Sequence, residues 1–161
     1  RPGHFVAVVE VVTRLFEIVH PTFAVFGEKD FQQLIFIKEM AEKRNPPVGI
    51  LAVPTQRDSD EVALSSRNIY LSSDQRNVAK LIPDSLKQAV LLANRGKSKE
   101  EIINYVKTCI KESDLIELDY VEILSNDLRE IKLNEIGRIL IAAKLGETRL
   151  IDNMPIMLRQ K

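Results

Sequence analysis

Between Phe5 and Val53 the apolar residues change period repeatedly, and this alternation limits the possible folds more than any other feature. Phe5, Val8, Val9, Val12, Phe16 and Val19 are apolar, with Glu10, Thr13, Arg14 and Glu17 opposite them. That is helical spacing despite the many β-branched side chains, and His20-Pro21 ends it. Thr22 to Phe26 reads as a short buried strand punctuated by Gly27. Phe31, Leu34, Ile35, Ile37 and Ala41 give a second helix a broad apolar face; Asn45-Pro46-Pro47 stops it, and Val48 to Val53 forms a second apolar strand. Helix, strand, helix, strand with short connections predicts an α/β protein: a parallel sheet covered by helices.

The pattern changes after Tyr70-Leu71. Ser72 with Gln75 offers a capping box, a better start than Ser73 with Arg76. The helix it opens runs to about Asn94, with Pro83 kinking or breaking it and Gly96 as a stop. Ser98 and Glu101 form another capping box ahead of Ile102, Ile103, Val106 and Ile110. Leu118 to Leu124, Arg138 to Leu145 and Thr148 to Ile151 alternate as strands. A small α+β unit is therefore expected over 72–161, following a sheet-forming unit over 1–71.

Composition removes several function classes. A chain of 161 residues buries about 70 % of its unfolded surface, enough for one good core or two small ones. With 23 basic and 23 acidic residues, no global field favours nucleic acid or an anionic membrane, so any anion site must be local. No apolar run approaches the roughly 20 residues that span a bilayer, so a soluble protein is expected. The single cysteine, Cys109, excludes an internal disulfide and a cysteine-rich zinc site, and fits a reducing compartment.

No glycine-rich phosphate loop, dinucleotide fingerprint or H-E-x-x-H pair is present, which directs attention to the two strand-end loops. In open parallel sheets, ligands bind outside the carboxyl ends of the strands. After the first strand comes Gly27-Glu28-Lys29-Asp30. If the next helix starts near Glu28, Lys29 and Gln33 share one side of its first turn. Free backbone N–H groups there favour an anion, Lys29 adds a point charge, Asp30 can accept from sugar hydroxyls, and Gln33 can hold a polar substrate. The competing reading is acids that cap a helix beside a solvated lysine. After the second strand, Pro54 to Asn68 is long and polar; Ser65, Ser66 and Arg67 can all donate to phosphate oxygens. An ordinary polar turn is the alternative. Taken together, two such loops on adjacent strand ends describe a cradle for a polyphosphate.

The segments "RPGHF", "FGEKDFQQL", "VPTQRD…ALSSRN.YL" and "LGETRLIDN", in this order along essentially the whole chain, resemble the pantothenate synthetase (pantoate–β-alanine ligase) family. The resemblance implies a Rossmann-like parallel sheet of the nucleotidyltransferase type, here partial, followed by the small α+β domain. It also implies that ATP and pantoate form pantoyl adenylate and pyrophosphate, and that β-alanine then displaces AMP to give pantothenate. Positioned cations and N–H donors are the tools such steps need. By the same resemblance Gly27, Glu28, Lys29 and Asp30 line the ATP site, with Lys29 on phosphate oxygens and Asp30 with the Gly27 backbone on the ribose. Gln33 holds pantoate, Gln56 meets adenine through its backbone, and Leu64, Ser65, Ser66 and Arg67 close over adenine and phosphates. Lys29, Ser65, Ser66 and Arg67 form the implied catalytic set. Arg1 and His4 are implied to line the site, although His4 also suits a helix start; His20 reads as a helix-end residue.

The match departs from the family in places. Its H-x-G-H segment, Mg²⁺-holding acids and early pantoate-binding glutamine are not in this sequence and belong upstream of Arg1. No metal ligand is therefore expected in this chain. Ala7 stands where a glycine is usual, and Glu61 stands at a loop position that usually carries glycine, which disfavours φ > 0 there. The expectation is the carboxyl-terminal part of a cytoplasmic, homodimeric ligase, with little or no activity alone. A non-catalytic interaction or dimerisation fragment, or a related nucleotidyltransferase with another acceptor, is the alternative.

Overall fold

The fold was described from a computed structural model covering residues 3–44 and 47–159. Two compact units form, Arg1–Thr55 and Gln56–Lys161. The division falls well before the expected 71/72 boundary because residues 56–71 are tied into the second unit. Val62 joins that unit's core cluster, and Arg57 and Asp60 reach ion-pair partners on Asp152 and Arg76.

In the first unit α1 (His4–Val19) is followed by β1 (Phe23–Gly27), α2 (Phe31–Glu42) and β2 (Gly49–Val53). The two strands pair in parallel, with Phe23 opposite Gly49 and Gly27 opposite Val53. Val12 and Phe16 of α1 bury against Ile37 and Ala41 of α2 and Val48, and Ala24, Phe26 and Ile50 pack onto this cluster. His20 terminates α1 in the left-handed conformation at φ 49°, its N–H donating to the Phe16 carbonyl, and Pro21 prevents continuation. On the opposite face of the sheet Phe23 is 63 %, Val25 64 % and Leu51 51 % exposed. Parallel sheets are normally covered on both faces. The helix stop expected at Asn45-Pro46-Pro47 falls partly outside the described residues, and α2 ends at Glu42.

In the second unit a 3₁₀ turn (Ser66–Tyr70) leads into α3 (Ser73–Ala79), α4 (Leu81–Asn94) and α5 (Lys99–Ile110), then β3 (Glu117–Ser125), β4 (Ile136–Leu145) and β5 (Thr148–Met157). The strands form an antiparallel sheet in the order β3-β4-β5. Leu86, Ala89, Ile102 and Val106 of the helices pack with Ile123, Ile139, Ile141 and Leu150 of the sheet. Both capping boxes, Ser72 with Gln75 and Ser98 with Glu101, are made in full. The break expected near Pro83 comes at Lys80, so Pro83 sits in the first turn of α4, where a missing N–H costs nothing. β5 runs six residues beyond the expected end at Ile151. Pro155 is accommodated because β5 is an edge strand, opposite Arg138. Among the described residues no helix is long and apolar enough to cross a membrane.

Candidate active site

In the first unit, the loop after β1 is shaped by two hydrogen bonds. The Glu28 N–H donates to the Val53 carbonyl at 2.8 Å, so Glu28 still belongs to the end of the parallel ladder. Asp30 then caps α2, its carboxylate accepting from the Gln33 N–H at 3.2 Å. The helix consequently begins at Phe31 rather than near Glu28. Lys29 lies in the turn before it, not one helical step below Gln33. An aspartate at this position is among the best caps, satisfying a donor that would otherwise have none. The cap engages Oδ1 of Asp30. Gly27, Glu28, Lys29, Asp30 and Gln33 are thus gathered at the carboxyl end of β1, with Glu28, Lys29, Asp30 and Gln33 half-buried. His4 is the first residue of α1, exposed, with its ring 5.4 Å from that of Phe5. Arg1 lies outside the described residues.

In the second unit, residues 56–64 fold back on themselves. The Leu64 N–H donates to the Gln56 carbonyl at 2.9 Å, Asp58 N–H to Val62 at 3.0 Å, and Arg57 bridges Ala63. At the tip Glu61 takes φ 68°, so the turn that glycine would favour persists with a side chain in it. A non-glycine residue in that region costs about 1–2 kcal/mol. Ser65 follows in extended conformation and accepts from the Arg67 N–H at 3.2 Å, starting the 3₁₀ turn. Leu64, Ser66 and Arg67 are exposed. The Asn68 amide donates to the Ala63 carbonyl at 3.1 Å, closing the segment. Its Oδ1 is buried and has no donor among the described residues.

Two arginines hold this loop. Arg57 forms a two-pronged pair with the buried carboxylate of Asp152, at 2.7 and 2.9 Å, and donates to the Glu61 carbonyl at 2.9 Å. Arg76 of α3 clamps Asp60 at 2.6 and 2.7 Å and Asp58 at 3.0 Å. The hydrogen bond from Arg76 holds the Asp60 carboxyl below its usual range, against the opposing pull of burial. A carboxyl held low in the folded state stabilises the fold above its ordinary value, and that contribution fades as pH falls through the lowered one. The Arg76–Asp60 contact therefore persists below the ordinary carboxylate range. Arg57, Asp58, Asp60 and Asp152 were not singled out in the sequence, and Arg76 was weighed only as a helix-start residue. Their pairings join residues 16 to 95 positions apart, beyond the reach of local spacing, although Arg57 and Asp152 both fall within segments quoted for the family resemblance.

Each unit thus presents one polar loop built on fixed backbone: an acid-capped helix start beside a lysine, and a hydroxyl- and guanidinium-bearing turn. A family model described as Pantoate-beta-alanine ligase matches residues 1–155. The chain is 42 % identical over 159 residues to the pantothenate synthetase of Acinetobacter baumannii, covering 97 % of this chain and 55 % of the relative. The crystal structure of pantothenate synthetase from Thermus thermophilus superposes with a TM-score of 0.87 at 37 % identity, over 96 % of this chain and 56 % of that one. A pantoate–β-alanine ligase from Francisella tularensis, complexed with β,γ-ATP and β-alanine, gives a TM-score of 0.71 at 32 % identity, over 96 % and 51 %. The chain belongs to the pantoate–β-alanine ligase family. It spans about half the length of the curated relatives it matches.

Proposed function

We propose that these residues form part of an ATP-dependent ligase that joins pantoate to β-alanine. The observation that carries this reading is the ligase-family match over residues 1–155, which takes in both polar loops; the Francisella relative complexed with an ATP species and β-alanine supports the substrates. In the first half-reaction a pantoate carboxylate oxygen bonds to the α-phosphorus of ATP, and the bond to the leaving pyrophosphate breaks. In the second, the neutral β-alanine amine attacks the acyl carbon, AMP departs with the bonding pair, and the nitrogen gives up a proton to solvent, leaving the amide.

Lys29 neutralises charge on phosphate oxygens, and the N-terminal amides of α2 reinforce it. Asp30 can cap α2 with one oxygen and accept a ribose hydroxyl with the other, beside the Gly27 backbone. Gln33, in the first turn of α2, holds pantoate. Gln56 meets adenine through its backbone, while Leu64, Ser65, Ser66 and Arg67 close over adenine and phosphates. Fixed donors aimed at developing charge are the largest expected contribution to rate. Glu28 contributes to the shape of the ATP loop, and His4 with Arg1 lines the site. Mg²⁺ enters with ATP, and no step is assigned to it. The proposal extends to a cytoplasmic homodimer; a single cysteine fits a reducing compartment.

The test is pantoate-dependent exchange of pyrophosphate into ATP, using a protein of the relatives' full length that contains these residues. Lys29→Ala lowers the exchange rate roughly 10²–10³-fold, as expected for one preorganised donor. No pantoate-dependent exchange by the parent protein defeats the proposal, and a change under about threefold removes Lys29 from it.

A further inference from the structure

We propose that Arg57 and Asp152 are positioning residues: their pair sets where the Ser65-Ser66-Arg67 segment stands. Arg57 lies directly opposite Ala63, two residues before Ser65. Its guanidinium is mostly buried and grips both oxygens of Asp152, which is 3 % exposed and also accepts from the Asn153 N–H at 2.7 Å. Asp152 projects from an edge strand whose neighbours Leu150 and Ile156 belong to the packed core. The loop is therefore referred to the packed sheet of its unit by a bond with fixed direction. Through its third contact, the same guanidinium fixes the Glu61 carbonyl and with it the left-handed turn. Arg76, clamping Asp58 and Asp60, holds the other flank.

Stability alone does not account for this choice of residues. A buried ion pair loses most of its attraction to desolvation, and apolar side chains of similar volume often serve as well or better. What they lack is direction: the planar fork of arginine on a carboxylate fixes both angle and distance. Holding a loop against a sheet to within a fraction of an ångström is the property that phosphate-contacting groups require.

The proposal rests on the reading that Ser65 to Arg67 handle the phosphates of ATP, and its test separates the two. Three variants are compared: Asp152→Asn, the double variant Arg57→Met with Asp152→Leu, and Arg67→Ala. Hydrogen exchange is followed on the 161-residue chain, and steady-state kinetics on a protein of the relatives' full length. In both pair variants the Leu64, Arg67 and Asn68 amides exchange about tenfold faster or more, while amides of α4 and α5 keep their protection. In the same variants kcat/KM for ATP falls about tenfold or more and the pantoate KM stays within about twofold. The double variant guards against misfolding, since it keeps the site packed while removing the directed contact. If it exchanges and turns over like the parent, the pair is only structural and the proposal is overturned. It is overturned equally if α4 and α5 lose protection together with the loop, or if Arg67→Ala harms ATP use and the pair variants do not. If Arg67→Ala itself leaves ATP use unchanged, the phosphate reading of the segment fails and the proposal falls with it.

Discussion

Asp30 shows how one residue can satisfy both readings of a charged strand end. Its carboxylate caps α2 by accepting from the Gln33 N–H, which is the ordinary structural task of an acid at that position. The cap engages Oδ1 of that carboxylate, and the proposed ribose contact would use Oδ2. Gln33 is divided in a similar way, between a backbone that makes the cap and a side chain proposed to hold pantoate. Gln33→Ala separates these two parts because the backbone N–H survives the change. In the full-length protein, Gln33→Ala raises the pantoate KM roughly tenfold while leaving the ATP KM within about twofold, in keeping with the loss of a substrate hydrogen bond. An unchanged pantoate KM in steady-state assays contradicts the role. Glu61 carries another lesson at this scale. The sequence marked it as a poor fit to a left-handed turn, and the structure keeps the turn at φ 68°, with Arg57 bound to its carbonyl. Lys87, 26 positions away, also pairs with the Glu61 carboxylate at 3.2 Å, a contact that local reading does not contain.

Elements whose cause is local were legible in the sequence. The two capping boxes involve partners three residues apart and form as expected. The strand–helix alternation of the first unit follows from side-chain period alone. The misjudged boundaries have tertiary causes. A helix start near Glu28 is open on local spacing, yet the Glu28 N–H completes a ladder to Val53, a partner visible only once the strands pair. The strand expected to end at Ile151 continues to Met157, because an edge position leaves Pro155 without a lost ladder bond. Gly137, at the start of β4, is another tertiary requirement. A Cβ added there lies 2.1 Å from the Leu124 carbonyl oxygen and 3.0 Å from its carbon, and backbone of a paired strand cannot swing aside. Gly137→Ala therefore destabilises the 161-residue chain by about 2 kcal/mol or more, comparable to overpacking a core. Urea unfolding followed by circular dichroism checks this, and a loss below about 0.5 kcal/mol contradicts it.

At the scale of the whole molecule, each of the two units carries one polar loop. The first unit has its sheet packed on one face by α1 and α2, while Phe23, Val25 and Leu51 stay exposed on the other. The second builds its loop against a closed core of its own. The family was legible because four short motifs occur in the right order. The Arg57–Asp152 pair that fixes one of those loops was not, since it links residues 95 positions apart. The central claim is that Lys29 and Arg67 act on the same triphosphate, and a double-mutant cycle tests it most directly. Single-turnover adenylation is measured for the full-length parent, Lys29→Ala, Arg67→Ala and the double variant. Shared action predicts coupling: the double variant loses at least about tenfold less than the product of the two single losses. Losses that multiply to within about a factor of two show two independent sites and contradict the account.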